Sequence, residues 1–102
     1  MELSDVGEVI AERRLTLEGD PASEVCVRIG KPVNFPDSTD YLAAYQITGI
    51  GSEKVKYAAG IDALQSLQLV LRMIGYDLKI LNNSVNHGLR WEGDEHGFLG
   101  FE

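Results

Sequence analysis

Hydrophobic and polar residues alternate along four segments in the first part of the chain. The segments are EVIAERRLTLE, VCVRI, YLAAYQI and KVKYAAG. A period of two is that of a β-strand with one face buried, so each segment predicts a strand. The turn sequences GDPAS and GIGSE join consecutive strands over spans too short for a crossover helix. An antiparallel sheet is therefore expected.

The segment GIDALQSLQLVLRMIGYDLKILN predicts one long helix over about residues 62–82. Asp62 can accept hydrogen bonds from free amides of the first turn, and Gln65 completes an Asp-x-x-Gln form of the capping box. Asn82 and Asn83 suit the left-handed conformation in which helices often end. Behind the helix, two short apolar runs around the turn sequence GDEHG predict a C-terminal hairpin or an ordered tail.

Together these elements predict an α+β fold with a single domain over residues 1–102. An antiparallel sheet of about four strands carries the long helix on one face, and the C-terminal hairpin or tail completes the domain. The length of 102 residues is sufficient for one hydrophobic core without disulfides or structural metal ions.

The predicted helix has more apolar residues than one buried face requires. One stripe is assigned to the sheet and consists of Leu64, Leu67, Leu71, Ile74, Leu78 and Leu81. A second stripe on roughly the opposite side consists of Leu69, Met73, Tyr76 and Ile80. A helix that is apolar on two sides must bury both, or it exposes a patch of a kind that monomers rarely tolerate.

Two covers are available for this second stripe. The chain's own tail could fold back on it, since the tail carries apolar residues that also need burial, namely Trp91, Phe98, Leu99 and Phe101. The same stripe of a second subunit could pack against it in a two-fold interface. Methionine and tyrosine are typical interface residues, so a homodimer with the tail at its edge is favoured. The predicted interface consists of Leu69, Met73, Tyr76, Ile80, Trp91 and Phe98.

The net charge of −7 argues against nucleic-acid binding, because affinity for phosphate backbones comes from clusters of lysine and arginine. No apolar segment has the length needed to span a membrane, and the first residues carry no secretory signal pattern. The single cysteine suggests no oxidising compartment. A cytoplasmic location is expected by elimination.

No motif indicates catalysis, metal binding or a cofactor. Cys26 lies in the middle of a strand, where burial among valines makes a thiol inert. His87 and His96 flank acidic residues, but the spacing matches no recurrent metal-ligand pattern, so solvated turn residues are the better interpretation. The glycines of TGIGSE precede a strand and therefore form a turn, not a phosphate loop. A non-enzymatic protein without a cofactor is expected.

Arg13 interrupts the apolar face of the first strand. An unpaired charge at the edge of the core would cost several kcal/mol, so a partner is required, and Asp62 and Asp77 are the candidates. The functional interpretation is an anion-binding pocket between sheet and helix that consists of Arg13, Tyr45, Tyr57 and Gln65. The structural interpretation, which is favoured, is an ion pair or an arginine whose stem covers the sheet edge.

The chain resembles an uncharacterised bacterial family, a domain of unknown function of about this length. The resemblance lies in IAERRLTLEG near the start, in YQITGIGSEKVKYAAGIDALQSLQLVL in the middle and in LRWEG with GF near the end. The central block is its most specific part. The resemblance implies a compact bacterial domain and assigns no functional site.

Three functions follow as expectations. The first is a non-enzymatic protein-interaction module that self-associates. The second is an immunity-type protein whose acidic surface neutralises a basic toxin, and the third is a small anionic-ligand pocket around Arg13. Binding of a basic partner through charge would weaken steeply with salt.

Overall fold

The computed structural model describes residues 2–50, 53–92 and 99–101. The elements in chain order are β1 (Val9–Leu17), β2 (Ser23–Gly30), β3 (Val33–Asn34), β4 (Tyr41–Thr48), β5 (Lys56–Gly60), α1 (Ala63–Ser84) and β6 (Leu89–Arg90). The α+β class, with one helix and an antiparallel sheet, is confirmed. The described sheet has six strands where about four were predicted. The two additional strands, β3 and β6, have two residues each, which is too short for an alternating pattern.

Strand β4 pairs with three other strands. Tyr45 pairs with Ile29 of β2 and with Lys56 of β5, so β2 and β5 occupy opposite edges of β4. The short strand β3 continues the edge that β2 occupies. Strand β1 pairs along β2, and β6 pairs with the end of β1 at Thr16 and Leu17. The spatial order is therefore β5–β4–β2–β1–β6.

The helix does not lie over the middle of the sheet but packs on β4 and β5. The core below it consists of alternate residues of the strands, including Val25, Val27, Ile29, Ala43, Tyr45, Ile47 and Ala58. Strands β1 and β2 continue the same face beyond the helix. The part of that face on β1 therefore needs another cover, and the C-terminal residues provide it.

The face of α1 that meets the sheet agrees with the predicted stripe at Ile74 and Leu78 and differs from it elsewhere. Its fully buried residues are Ser66, Val70, Ile74 and Leu78, whereas Leu64 and Leu71 are exposed. The rotation of the helix is fixed where it approaches β5 most closely. A Cβ added to Gly60 would lie 2.6 Å from the backbone nitrogen of Ser66. A small residue must face the strand at that point, and this leaves Leu64 and Leu71 of the predicted stripe exposed on the flank. Leu67 and Leu81 are partly buried and pack against the core.

The predicted capping box is present at the start of α1. The Asp62 carboxylate accepts a hydrogen bond from the Gln65 amide at 2.8 Å, and the Gln65 side chain accepts one from the Ile61 amide at 2.7 Å. The helix ends two residues beyond the predicted end. The left-handed exit is made by Asn86 and His87, with φ values of 56° and 58°, and not by the asparagines within the last turns of the helix.

A second, smaller core lies on the opposite face of the sheet. Its buried members are Val6, Leu42, Ala44 and Val55. The N-terminal segment runs directly over the end of β2, since a Cβ added to Gly30 would lie 1.8 Å from the carbonyl oxygen of Val6. This glycine is therefore required for the N-terminal segment to cover β4.

The C-terminal residues return to the helix after β6. Leu99 is buried in the main core, and Trp91 and Phe101 pack against it. A Cβ added to Gly75 of the helix would lie 3.0 Å from the Phe101 carbonyl oxygen, so glycine permits this close approach. An ordered tail over residues 99–101 agrees with the prediction, while residues 93–98, where a hairpin turn was predicted, lie outside the described residues.

Candidate functional site

Arg13 is held between two aromatic rings at the edge of the core. The central carbon of its guanidinium lies 3.9 Å from the centroid of the Trp91 ring and 4.9 Å from that of the Phe101 ring. Its Nη1 donates a hydrogen bond to the Leu99 carbonyl at 3.1 Å. A planar, weakly hydrated guanidinium stacks on aromatic faces, which an ammonium group does less well. We refer to Arg13, Trp91, Leu99 and Phe101 as the arginine clamp.

The two carboxylates expected to pair with Arg13 have other partners. Asp62 caps the helix, and Asp77 binds Tyr45 and Lys56. The expectation was wrong because it required a negative charge for Arg13. Two ring faces and a carbonyl oxygen satisfy a partly buried guanidinium without one. The sequence signalled the anomaly at Arg13, but its hydrogen-bond partner lies 86 residues further along the chain.

The structure does not bring the predicted pocket residues together. Arg13 lies on β1 and Tyr45 lies on β4 beneath the helix, with β2 between the two strands. Tyr57 belongs to the second core, where its ring centroid lies 5.7 Å from that of Phe35. Gln65 serves in the helix cap. The arginine clamp is therefore a packing feature that fixes the tail, and not one wall of a cavity shared by these four residues.

Asp77 joins the helix to the sheet through two hydrogen bonds that the sequence analysis did not identify. The hydroxyl of the buried Tyr45 donates to Asp77 Oδ2 at 2.5 Å, and Lys56 Nζ lies 3.0 Å from the same oxygen. Burial, followed by the hydrogen bond to the carboxylate, raises the pKa of Tyr45 well above its ordinary value. In the sequence, this contact could have been suspected from Asp77 alone, which lies between the apolar residues Tyr76 and Leu78 of the helix.

The predicted interface residues fall into two groups on the helix. Leu69 and Met73 are half-buried and pack against the main core, whereas Tyr76 is 66 % exposed and Ile80 is 52 % exposed. We refer to Tyr76 and Ile80 as the exposed pair. Beside it, a groove of about 350 Å³ runs between the helix and the end of β4, lined in part by Ile47, Ile50, Lys54, Ile80 and Leu81.

The other two predicted interface residues belong to the tail. Trp91 is part of the arginine clamp on the β1 side of the molecule. Ile80 lines the groove beside β4, whereas Tyr76 lines a different cleft together with Leu99 and Phe101 of the tail. Phe98 lies outside the described residues. Residues 99–101 approach the helix at Gly75 and share a cleft with Leu71. Among the described residues, the tail thus lies on the opposite flank of the helix from Ile80.

Cys26 and His87 have the environments expected from the sequence. Cys26 is buried on strand β2, and burial raises the pKa of its thiol. His87 is exposed in the turn after the helix, and His96 lies outside the described residues. Within the part of the chain that the structure describes, no group of histidine, cysteine, aspartate and glutamate side chains is arranged to hold a metal ion.

The helix, the sheet and the tail together define the class of fold. Among the described residues, no helix combines the length and the apolar character needed to cross a membrane. The structure defines a small α+β domain in which one helix covers half of a sheet and a clamped tail covers the edge.

The model of the family described as "Domain of unknown function (DUF6968)" matches residues 11–102, and the chain belongs to this family. The resemblance inferred from the sequence is confirmed. Searches among curated proteins and among solved structures found no match.

Proposed function

We propose that this protein is a non-enzymatic interaction module that forms a two-fold dimer through the exposed pair. The observation that carries the proposal is the exposure of Tyr76 and Ile80 one helical turn apart, beside an open groove whose lining is partly apolar. Large aromatic and aliphatic side chains next to a groove are the usual anchors of protein interfaces.

The spacing of the two residues suits a two-fold contact. If two copies of α1 cross in antiparallel directions with the symmetry axis midway between positions 76 and 80, Tyr76 of one copy meets Ile80 of the partner subunit. The same contact occurs a second time by symmetry. Each tyrosine ring would then enter the groove beside the isoleucine, where Ile50 and Leu81 provide apolar walls.

The energetic balance indicates a weak dimer. Full burial of one large apolar side chain contributes about 1.5–3 kcal/mol, so four half-exposed side chains contribute roughly 3–6 kcal/mol. Association itself costs about 4 kcal/mol or more. The exposed pair alone therefore does not hold a dimer together. Insertion of each tyrosine into the groove must supply several kcal/mol more for the dissociation constant that we expect, on the order of 10–100 µM.

Sedimentation of matched variants tests this proposal. The variant Tyr76→Glu with Ile80→Glu places two charges in the contact and should be monomeric at all concentrations. The control is Leu64→Glu with Leu71→Glu, which changes two residues of similar exposure, 65 % and 44 %, on the other flank of the same helix. The control should associate as the wild type does.

The concentration range decides the outcome. We expect the wild-type sedimentation coefficient to rise between about 5 and about 300 µM, the range that brackets the expected dissociation constant. A wild type that remains monomeric throughout this range contradicts the proposal. Equal loss of association in both double variants would also contradict it, since the effect would then come from added charge and not from the exposed pair.

A further inference from the structure

The basic residues of this acidic chain differ in whether they have a partner within the described structure. Five of the nine basic residues have partners within the described structure: Arg13, Arg14, Arg28, Lys56 and Arg90. Of the remaining four, Arg72 and Lys79 line the same cleft, together with His87. Two of these four basic side chains therefore lie at one place, while Lys31 and Lys54 line other clefts.

This cleft differs in charge from the others formed by the described residues. Four other clefts contain an aspartate or a glutamate in their lining. The described lining of the cleft at Arg72 contains neither, and it includes two basic side chains and an imidazole. In a protein with a net charge of −7, this described lining is a local reversal of charge, which attracts anions of small size.

The helix geometry brings the two basic residues to the same side. Arg72 and Lys79 are seven residues apart, which is about two turns and about 10 Å along the axis. Tyr76 lies between them, and both long side chains can converge on a group held beside the Phe101 backbone, which packs on Gly75. A guanidinium and an ammonium group are the side chains that most often bind phosphate oxygens.

His87 is placed at the cleft in a conformation that glycine would adopt more easily. Its φ is 58°, in the left-handed region, and belongs to the exit of the helix. The hydrogen bond from its backbone amide to the Asn82 carbonyl, at 2.8 Å, holds the backbone there. The helix exit thereby fixes the position of His87 in the lining of the cleft.

The cleft also has apolar walls and a suitable size. Its volume is about 620 Å³, and its lining includes Tyr76, Leu78, Leu99 and Phe101. Sites for small molecules commonly have volumes of about 300–1,000 Å³ and combine apolar walls with a few polar groups. The exposed Tyr76 ring offers a stacking surface for a flat ring system.

We propose that this cleft binds a small organic phosphate with an aromatic ring system, the chemistry of a nucleoside monophosphate. Arg72 and Lys79 bind the phosphate, His87 donates a further hydrogen bond, and Tyr76 stacks on the ring. A polymeric nucleic acid does not fit this proposal, because the acidic remainder of the surface repels a long polyanion.

Titration with adenosine monophosphate, inorganic phosphate and adenosine tests the proposal. Backbone amide shifts are recorded by NMR at low ionic strength, with the protein at a concentration below that at which it associates. We expect saturable shifts at residues 72–83 and 87, with adenosine monophosphate binding more tightly than phosphate and adenosine binding least. The proposal would be overturned if adenosine monophosphate at up to about 10 mM caused no saturable shift. The free energy of binding would then be weaker than about 3 kcal/mol.

Charge-matched variants distinguish the cleft from general attraction. Arg72→Gln and Lys79→Gln should each weaken adenosine monophosphate binding about tenfold, the effect of one charge-assisted hydrogen bond. His87→Asn, which tolerates the left-handed backbone, should weaken it by a smaller factor.

Lys31→Gln and Lys54→Gln remove the same charge from clefts that contain acids and should leave the affinity unchanged. Equal losses in all four lysine and arginine variants would overturn the proposed site. None of the substituted residues belongs to the exposed pair, but Tyr76 lines both the cleft and the proposed dimer contact. The titrations are therefore made on the monomer, so that their outcome does not depend on dimer formation.

Discussion

At the scale of single residues, Arg13 illustrates how a charged side chain becomes part of a core. Its partners are two ring faces and one carbonyl oxygen, and this environment selects arginine by shape as well as by charge. Lysine has the same charge but neither the planar group nor the same hydrogen-bond geometry.

We therefore expect Arg13→Lys to lower the free energy of unfolding by about 1–2 kcal/mol. The loss corresponds to a decrease in Tm of roughly 4–16 °C for a domain of this size. Arg14→Lys is the matched control, because Arg14 is exposed and makes only a surface ion pair with Glu12, whose contribution is small. Equal stability of the two variants in thermal unfolding would show that stacking in the arginine clamp is unimportant.

Because of Tyr45, we expect the free energy of unfolding to decrease as the pH rises in the alkaline range. The pKa of Tyr45 is raised in the folded state by burial and by Asp77, so the folded protein keeps its proton while the unfolded chain loses it above about pH 10. The stabilisation is complete below that pH and is lost as the pH rises toward the folded-state pKa. The slope is about 1.4 kcal/mol per pH unit.

Urea unfolding of Tyr45→Phe and the wild type between about pH 9 and 11 measures this effect. We expect the wild type to lose stability relative to Tyr45→Phe as the pH rises. Tyr76→Phe serves as the control, because the Tyr76 side chain is exposed and its removal should not change the slope. Parallel curves for the wild type and Tyr45→Phe would contradict the raised pKa.

At the scale of elements, the start of the helix depends on Asp62. Its side chain accepts a hydrogen bond from the Gln65 amide, and loss of such a cap costs about 1 kcal/mol. We expect Asp62→Ala to show this loss in chemical unfolding and Asp62→Asn to retain most of the stability, because an amide oxygen also accepts the hydrogen bond. If the two variants lost equal stability, the charge of Asp62 and not its hydrogen bond would be the important property.

Gly75 tests the contact between helix and tail. In an isolated helix, Gly→Ala adds about 1 kcal/mol of stability, but here the new methyl group would lie 3.0 Å from the Phe101 carbonyl oxygen and 3.3 Å from its Cβ. We expect Gly75→Ala to give no gain in the wild type. The gain should return when the tail is detached by Leu99→Ala with Phe101→Ala, as a double-mutant cycle would show. A full gain in the intact protein would mean that the tail does not rest on Gly75.

The elements also show what the sequence could predict. The four long strands and the cap at Asp62 follow from local patterns, and each is present. The face of the helix does not follow, because leucine, isoleucine and valine occur nearly all round it, so periodicity alone cannot choose between orientations. The orientation of the helix is fixed by the contact of Ser66 with Gly60. These are two small residues that do not stand out in a pattern of hydrophobic positions. The arginine clamp depends in the same way on residues distant in the sequence.

At the scale of the whole molecule, the core is divided between a helix over β4 and β5 and a tail over β1. The single tryptophan, Trp91, stacks on Arg13 and so reports on the tail, while the far-ultraviolet circular dichroism reports on the helix and sheet. We expect both signals to change at the same urea concentration, because Leu99 is buried in the same core as the helix residues. A fluorescence change that precedes the circular dichroism change would show that the tail unfolds separately.

The position of the tail has a consequence for protein synthesis. Arg13 and Leu99 are 86 residues apart, and translation at about 5–20 residues per second separates their appearance by roughly 4–17 s. During that time strands β1 and β2 can pair while the surface that the tail will cover is still open to solvent. The nascent chain thus presents an apolar strand face until residues 99–101 emerge. A chaperone acting during translation would find its binding site on β1 rather than on the helix.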